Sequence, residues 1–140
     1  MSERWLSEAI PDEDLLDRWV HRQWFSKRHG GVSPTFFKNA RDPLTGRGGM
    51  STDGNRYSTP EESRQRAREP EANGVVELAV VDVRAIPEQM VEHTPIQNHP
   101  DPGVPDNRAH TDVCGPKEED PEIQRAFSRI RRVVIPVPGT

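Results

Sequence analysis

The sequence predicts an α+β fold: a small twisted, mainly antiparallel sheet packed by two or three helices, with a long Pro-rich loop. Three observations predict it. Residues 75–86 carry a valine-rich run with polar residues only at Glu77, Asp82 and Arg84. Residues 109–114 alternate, with Ala109, Thr111 and Val113 on one face and His110, Asp112 and Cys114 on the other. Two further segments open with helix-start signals at Thr59-Pro60 and at Asp120-Pro121.

The 140 residues make one domain, 1–140, without a boundary or an internal repeat. With 31% hydrophobic residues, 14 prolines and 10 glycines, the chain is lean in core formers and rich in turns. Residues 1–10 are expected to be flexible. A net charge of -4 argues against general nucleic-acid binding, which needs a basic footprint. Cys114 is the one cysteine, so no intramolecular disulfide forms and nothing points to an oxidising compartment. No apolar stretch approaches the roughly 20 residues of a membrane span, and a cytoplasmic location is expected.

In chain order, residues 12–25 predict a first helix. Asp12, Glu13 and Asp14 suit its positive end, and Leu15, Leu16, Trp19, Val20 and Trp24 recur at helical spacing. A strand would instead set Arg18 between Leu16 and Val20 on one face. Residues 26–58 are broken by glycines. Within them, 32–38 predict a brief strand or helical turn anchored by Phe36 and Phe37, and 50–54 a short strand running into a turn. Thr59, Pro60 and Glu62 form a capping box with proline at the first helical position, and 61–69 follow as a surface helix. Residues 75–86 are the central strand, covered on two sides. Residues 91–96 predict an edge strand and 97–108 an irregular loop. Ile123, Ala126, Phe127 and Ile130 then repeat at i, i+3, i+4 and i+7 in a last helix, and 133–137 predict a final edge strand.

Four constellations could carry chemistry. His93, His99, His110 and Cys114 supply ligand types that zinc takes, though at no established zinc spacing; the same residues also read as polar groups on a half-solvated strand and its loop. Arg18, His21, Arg22 and Phe25 share one face if 12–25 is helical, and a guanidinium beside an imidazole could hold a phosphate or carboxylate. Gly46-Arg47-Gly48-Gly49, ahead of Ser51 and Thr52, could offer backbone amides to an anion, but has no lysine in the P-loop position. Cys114 as a nucleophile lacks a base in reach, since on one strand His110 stands about 13 Å away at 3.3 Å per residue.

Leu15-Leu16-x-Arg18, Ser33-x-x-Phe36, Met50-Ser51-Thr52-Asp53 and Asn107-Arg108-Ala109-His110-x-x-Val113-x-Gly115 follow in an order that resembles a family of small uncharacterised bacterial proteins. The early arginine and the serine–aromatic segment are also distantly similar to ADP-ribosyltransferase-like folds. That similarity implies a catalytic acidic residue late in the chain, for which Glu92 is the nearest option.

Taken together, these features predict an accessory binding module of a bacterial multi-protein system. It would meet a protein partner through residues 87–108 and the adjoining His110 edge. One alternative is a small enzyme acting on a nucleotide or phosphorylated substrate, with Arg18 holding the anion and His21 or His110 as general acid–base. The other is a structural zinc protein. No motif assigns a cofactor.

Overall fold

The computed structural model describes residues 3–46 and 48–139. Seven strands are present among them: β1 (Leu15–His21), β2 (Ala40–Arg41), β3 (Gly48–Gly54), β4 (Asn73–Ala79), β5 (Met90–His93), β6 (His110–Cys114) and β7 (Arg132–Ile135). Three helices accompany them: α1 (Pro60–Gln65), α2 (Val80–Arg84) and α3 (Pro121–Ile130). The sheet runs β5-β6-β3-β1-β4-β7, with β2 added onto β3, and every neighbouring pair is antiparallel. The α+β architecture expected from the sequence is therefore the one observed.

The first element is a correction. Residues 12–25 are not a helix: they contain β1 and a short 3-10 turn at Arg22–Trp24. Paired with β3 and β4 along its edges, β1 meets the core on one face and α1 on the other, so its apolar residues show no simple alternation. Leu16 and Val20 are fully buried on the core side. Arg18 sits between them because it finds partners there. Its guanidinium lies 4.5 Å from the centre of the Phe36 ring and donates to the Ser51 carbonyl at 2.9 Å. Burial pulls that guanidinium down to about 10.

A second correction concerns residues 75–86. The strand ends at Ala79, and Val80–Arg84 turn into α2. Val80 and Val83 are buried while Val81 is exposed, the spacing of a helical turn. Tertiary packing here overrides β-propensity. Two smaller expectations also shift. Residues 32–38 hold a 3-10 turn at Pro34–Phe36, and the surface helix stops at Gln65 with both bonds of its capping box formed.

The core lies on one side of the sheet. Leu16, Val20, Met50, Val76, Leu78 and Val113 face Phe36, Phe37, Ile123 and Phe127, with Phe37 stacked on Phe127 at 5.4 Å. Each fully buried aromatic of this kind contributes about 3 kcal/mol. Among the buried residues on this side is Lys117, whose Nζ donates to Asn39 Oδ1 and to the carbonyls of Val113 and Gly115. Burial pulls its ammonium down to about 8.

The other side is polar. Asp17 is flanked in register by Asp53 on β3 and Glu77 on β4. Asp53 is well held by Ser63 Oγ at 2.6 Å, Asn107 Nδ2 at 2.8 Å and Arg66 at 3.2 Å. Asp17 has no such donors: no N–H or hydroxyl reaches its buried oxygens, and the group beside it for a hydrogen bond is the Glu77 carboxyl, which only a protonated Asp17 can satisfy. Burial first, then Glu77 and Asp53, push its carboxyl up to about 8.

The way β3 leaves β1 positions the site. Register pairing between them covers only Leu16↔Gly54 and Asp17↔Asp53, after which β3 pairs with β6 from Asp53 to Met50. Arg18 fills the parting and ties the Ser51 carbonyl from the core side. Ser51's hydroxyl is thereby presented on the opposite side, in register with Asp112 and next to His110.

Candidate functional site

A cleft of about 580 Å³ opens over β3 and β6. Ser51, His110 and Asp112 form its floor, the turn after β2 one wall, and residues 94–104 the other. The volume is that of a small-ligand or peptide side-chain site. The walls join where His99 Nε2 meets Asp42 Oδ2 at 2.5 Å. Asp42 is tied in turn to the amides of Leu44 and Thr45, and those bonds with His99 hold its carboxyl below the usual range.

The hydrogen bonds fix how His110 is presented. Its Nδ1 lies 2.9 Å from the Thr94 carbonyl, which can only accept, so Nδ1 carries the proton. Thr94 Oγ1, 3.0 Å from the same nitrogen, spends its own proton on Asp112 Oδ2 at 3.0 Å. Nε2 is left with a lone pair directed at Ser51 Oγ, 3.2 Å away, with Asp112 Oδ1 at 3.9 Å. The His110 side chain is 16% exposed and lines the cleft, so it is not sunk in the core, and the partner of its Nε2 is a hydroxyl of the cleft floor. Gly49, at φ +146°, lets the backbone pass close by: a Cβ there would lie 3.1 Å from Asp112 Cβ and 3.3 Å from Cys114 Sγ.

The other sequence candidates lie elsewhere or are already engaged. His21 ends β1, accepts from the Gln23 amide and lines a separate hollow with Phe25 and Pro138. Because β1 is a strand, Arg18, His21, Arg22 and Phe25 do not share a face. Arg18 touches Ser51 but lies behind the cleft rather than in its lining. His93 is buried with both nitrogens bonded, to the Glu8 amide and the Arg108 carbonyl. His99 accepts from the Asp101 amide as well as meeting Asp42. Among the described residues Cys114 hydrogen-bonds to the Gly48 carbonyl, and burial, then Asp112 and Glu92, push its thiol up. Thus His93, His99, His110 and Cys114 do not converge. No group of three or more ligand-type residues able to hold a metal occurs among the described residues.

Gly48 and Gly49 pair with β2 in a hairpin instead of forming an anion nest, and Arg47 lies outside the described residues. Glu92 is exposed on β5, opposite Asp112, and does not line this cleft. The acidic residues late in the chain that do are Asp101 and Asp112. Residues 3–8 are tied across β5 by Trp5 to Gln97, Ser7 to the His93 carbonyl and Glu8 to His93.

Thr94, Arg41 and Asp42 went unread in the sequence, and Ser51 was read only beside the Gly46–Gly49 loop, not as a partner of His110. Ser51 and Thr94 are single hydroxyls in unremarkable settings, and only the β3–β6 register and the loop's path bring them to His110. A signal was present for Ser51, since Met50-Ser51-Thr52-Asp53 was legible as a strand with Ser51 and Asp53 on one face. No helix among the described residues is long and apolar enough to cross a membrane. The chain matches no protein-family model, no curated protein and no solved structure.

Proposed function

We propose that the chain is an accessory binding module whose cleft takes a basic, extended segment of a protein partner. The charge of the lining supports this. Asp42, Asp101 and Asp112 stand against a lone arginine, Arg41, among the described lining residues, while Leu44, Ile96 and Val104 add apolar wall. Such a site attracts cations and repels phosphates, and a proline-rich loop loses little entropy on closing over a ligand. Fluorescence anisotropy with labelled peptides tests it. A peptide alternating Lys or Arg with apolar residues should bind, and weaken as salt rises. Its Glu-substituted counterpart should not. Deletion of residues 97–106 should abolish binding and leave thermal unfolding nearly unchanged; equal binding after deletion refutes the proposal.

One observation favours a second reading, an enzyme acting on a nucleotide. Arg18 and His110 both touch Ser51, one at its carbonyl and one at its hydroxyl. An arginine, a serine and an acid, Asp112, therefore meet around one residue, although the similarity with ADP-ribosyltransferase-like folds refers to Ser33-x-x-Phe36 and Glu92, none of which lines the cleft. Against it stand the distance of His21 and the carboxylates of the lining. Calorimetric titration with ADP-ribose and AMP decides, and silence from both removes the idea.

A further inference from the structure

We propose that Ser51 is a nucleophile activated by His110, so that the cleft hydrolyses or transfers an acyl group. The inference uses the cleft assigned above but not the identity of its peptide occupant. It rests on three geometric facts that a merely polar floor does not require. Nucleophile and base are within hydrogen-bond reach, Ser51 Oγ to His110 Nε2 at 3.2 Å. The base is turned the right way, because the Thr94 carbonyl holds the proton on Nδ1 and leaves the Nε2 lone pair for the serine. A carboxylate, Asp112, stands 3.9 Å from Nε2, where positive charge develops when the imidazole gains a proton. Asp112 is itself fixed by Thr94 Oγ1, so the orienting groups form one network.

The chemistry follows for an uncharged or cationic ester, the classes that a carboxylate-lined cleft admits. Ser51 Oγ attacks the carbonyl carbon, and its proton passes to His110 Nε2. The tetrahedral adduct collapses, the bond from carbon to the leaving oxygen breaks, and His110 returns the proton to that oxygen. Water then adds to the acyl-serine with His110 again taking a proton; collapse breaks the bond from the acyl carbon to Ser51 Oγ, frees the acid, and His110 returns the proton to Oγ. No oxidant, reductant or metal enters.

The test is covalent labelling of the full chain with a fluorophosphonate, followed by intact mass and peptide mapping, alongside turnover of 4-nitrophenyl acetate. Wild type should gain one adduct, on the peptide holding Ser51. Ser51→Ala should gain none, and His110→Gln should label at least about 100-fold more slowly, the usual worth of a general base. An unlabelled wild type overturns the proposal, as does an adduct elsewhere or His110→Gln labelling at the wild-type rate. Should His110→Gln fail to fold, Ser51→Cys decides. Its new thiol should react with iodoacetamide at least about 10-fold faster than Cys114, whose thiol has no imidazole beside it; equal rates overturn the proposal. Peptide binding without labelling leaves the recognition module standing and removes only the nucleophile. Labelling without peptide binding does the reverse.

Discussion

Asp17 should make the protein less stable as the pH rises, and replacing it with asparagine should remove that dependence. Asp17 is fully buried, its oxygens have no hydrogen-bond donor, and Asp53 and Glu77 flank it in register on either side. Its carboxyl is pushed from 3.8 to about 8 in the folded chain. The folded state thus holds a proton that the unfolded state has released throughout that interval. Stability then falls as pH rises, by up to about 1.4 kcal/mol per pH unit. By pH 7 the summed loss is a few kcal/mol, on the order of 4 at most, and it stops growing above the folded value. Glu8, Asp42 and Glu61 are shifted down and pull the other way, so the total curve mixes signs. The difference between wild type and Asp17→Asn isolates the one group. An amide has the shape of the protonated acid and can donate to Glu77 or Asp53. Urea unfolding from pH 4 to pH 9 should show the variant gaining on wild type steadily up to about pH 8, then running parallel. A difference that is flat across that range refutes the buried, proton-holding carboxyl.

Lys117→Ala should cost about 3 kcal/mol in urea unfolding, because it leaves a cavity and strips a donor from Asn39 Oδ1 and two carbonyls. Since burial pulls the ammonium down to about 8, wild type should also gain on this variant as pH rises from 8 towards 10.5. Gly74→Ala should cost more than about 2 kcal/mol and lower the melting temperature by several degrees, since its Cβ would lie 2.6 Å from the Ile135 carbonyl and the Val137 amide and force β7 away. His99→Ala should unlatch the cleft wall. Hydrogen exchange at residues 98–104 should accelerate by at least about 10-fold while the sheet amides keep their protection, and unchanged exchange would show that the Asp42 contact holds nothing.

The sequence was most informative where one local signal had no rival. Thr59, Pro60 and Glu62 marked the start of α1, and Ile123 and Phe127 marked the buried face of α3. The alternation of 109–114 placed His110, Asp112 and Cys114 on one side of β6, and the loop at 97–108 was recognisable from its prolines. It was least informative where both faces of a strand are covered. β1 and the end of β4 are apolar at spacings that suit helix and strand alike, and only the neighbours decide between them. Val80 and Val83 are β-branched yet helical, because the core lies on one side of that turn.

Arg18 shows why the site was harder to read than the fold. As an isolated residue, an arginine between Leu16 and Val20 argues against a strand, because a buried guanidinium needs partners that the segment itself does not contain. Those partners come from elsewhere in the chain: the Phe36 ring and the Ser51 carbonyl, at the point where β3 parts from β1. The same parting sends Ser51's hydroxyl to the far side, where β6 and Thr94 meet it. So the residue that made β1 look helical also braces the strand on which Ser51 is offered to His110. Substituting Arg18 should therefore disturb the cleft floor through the Ser51 carbonyl, although Arg18 is not itself part of the lining.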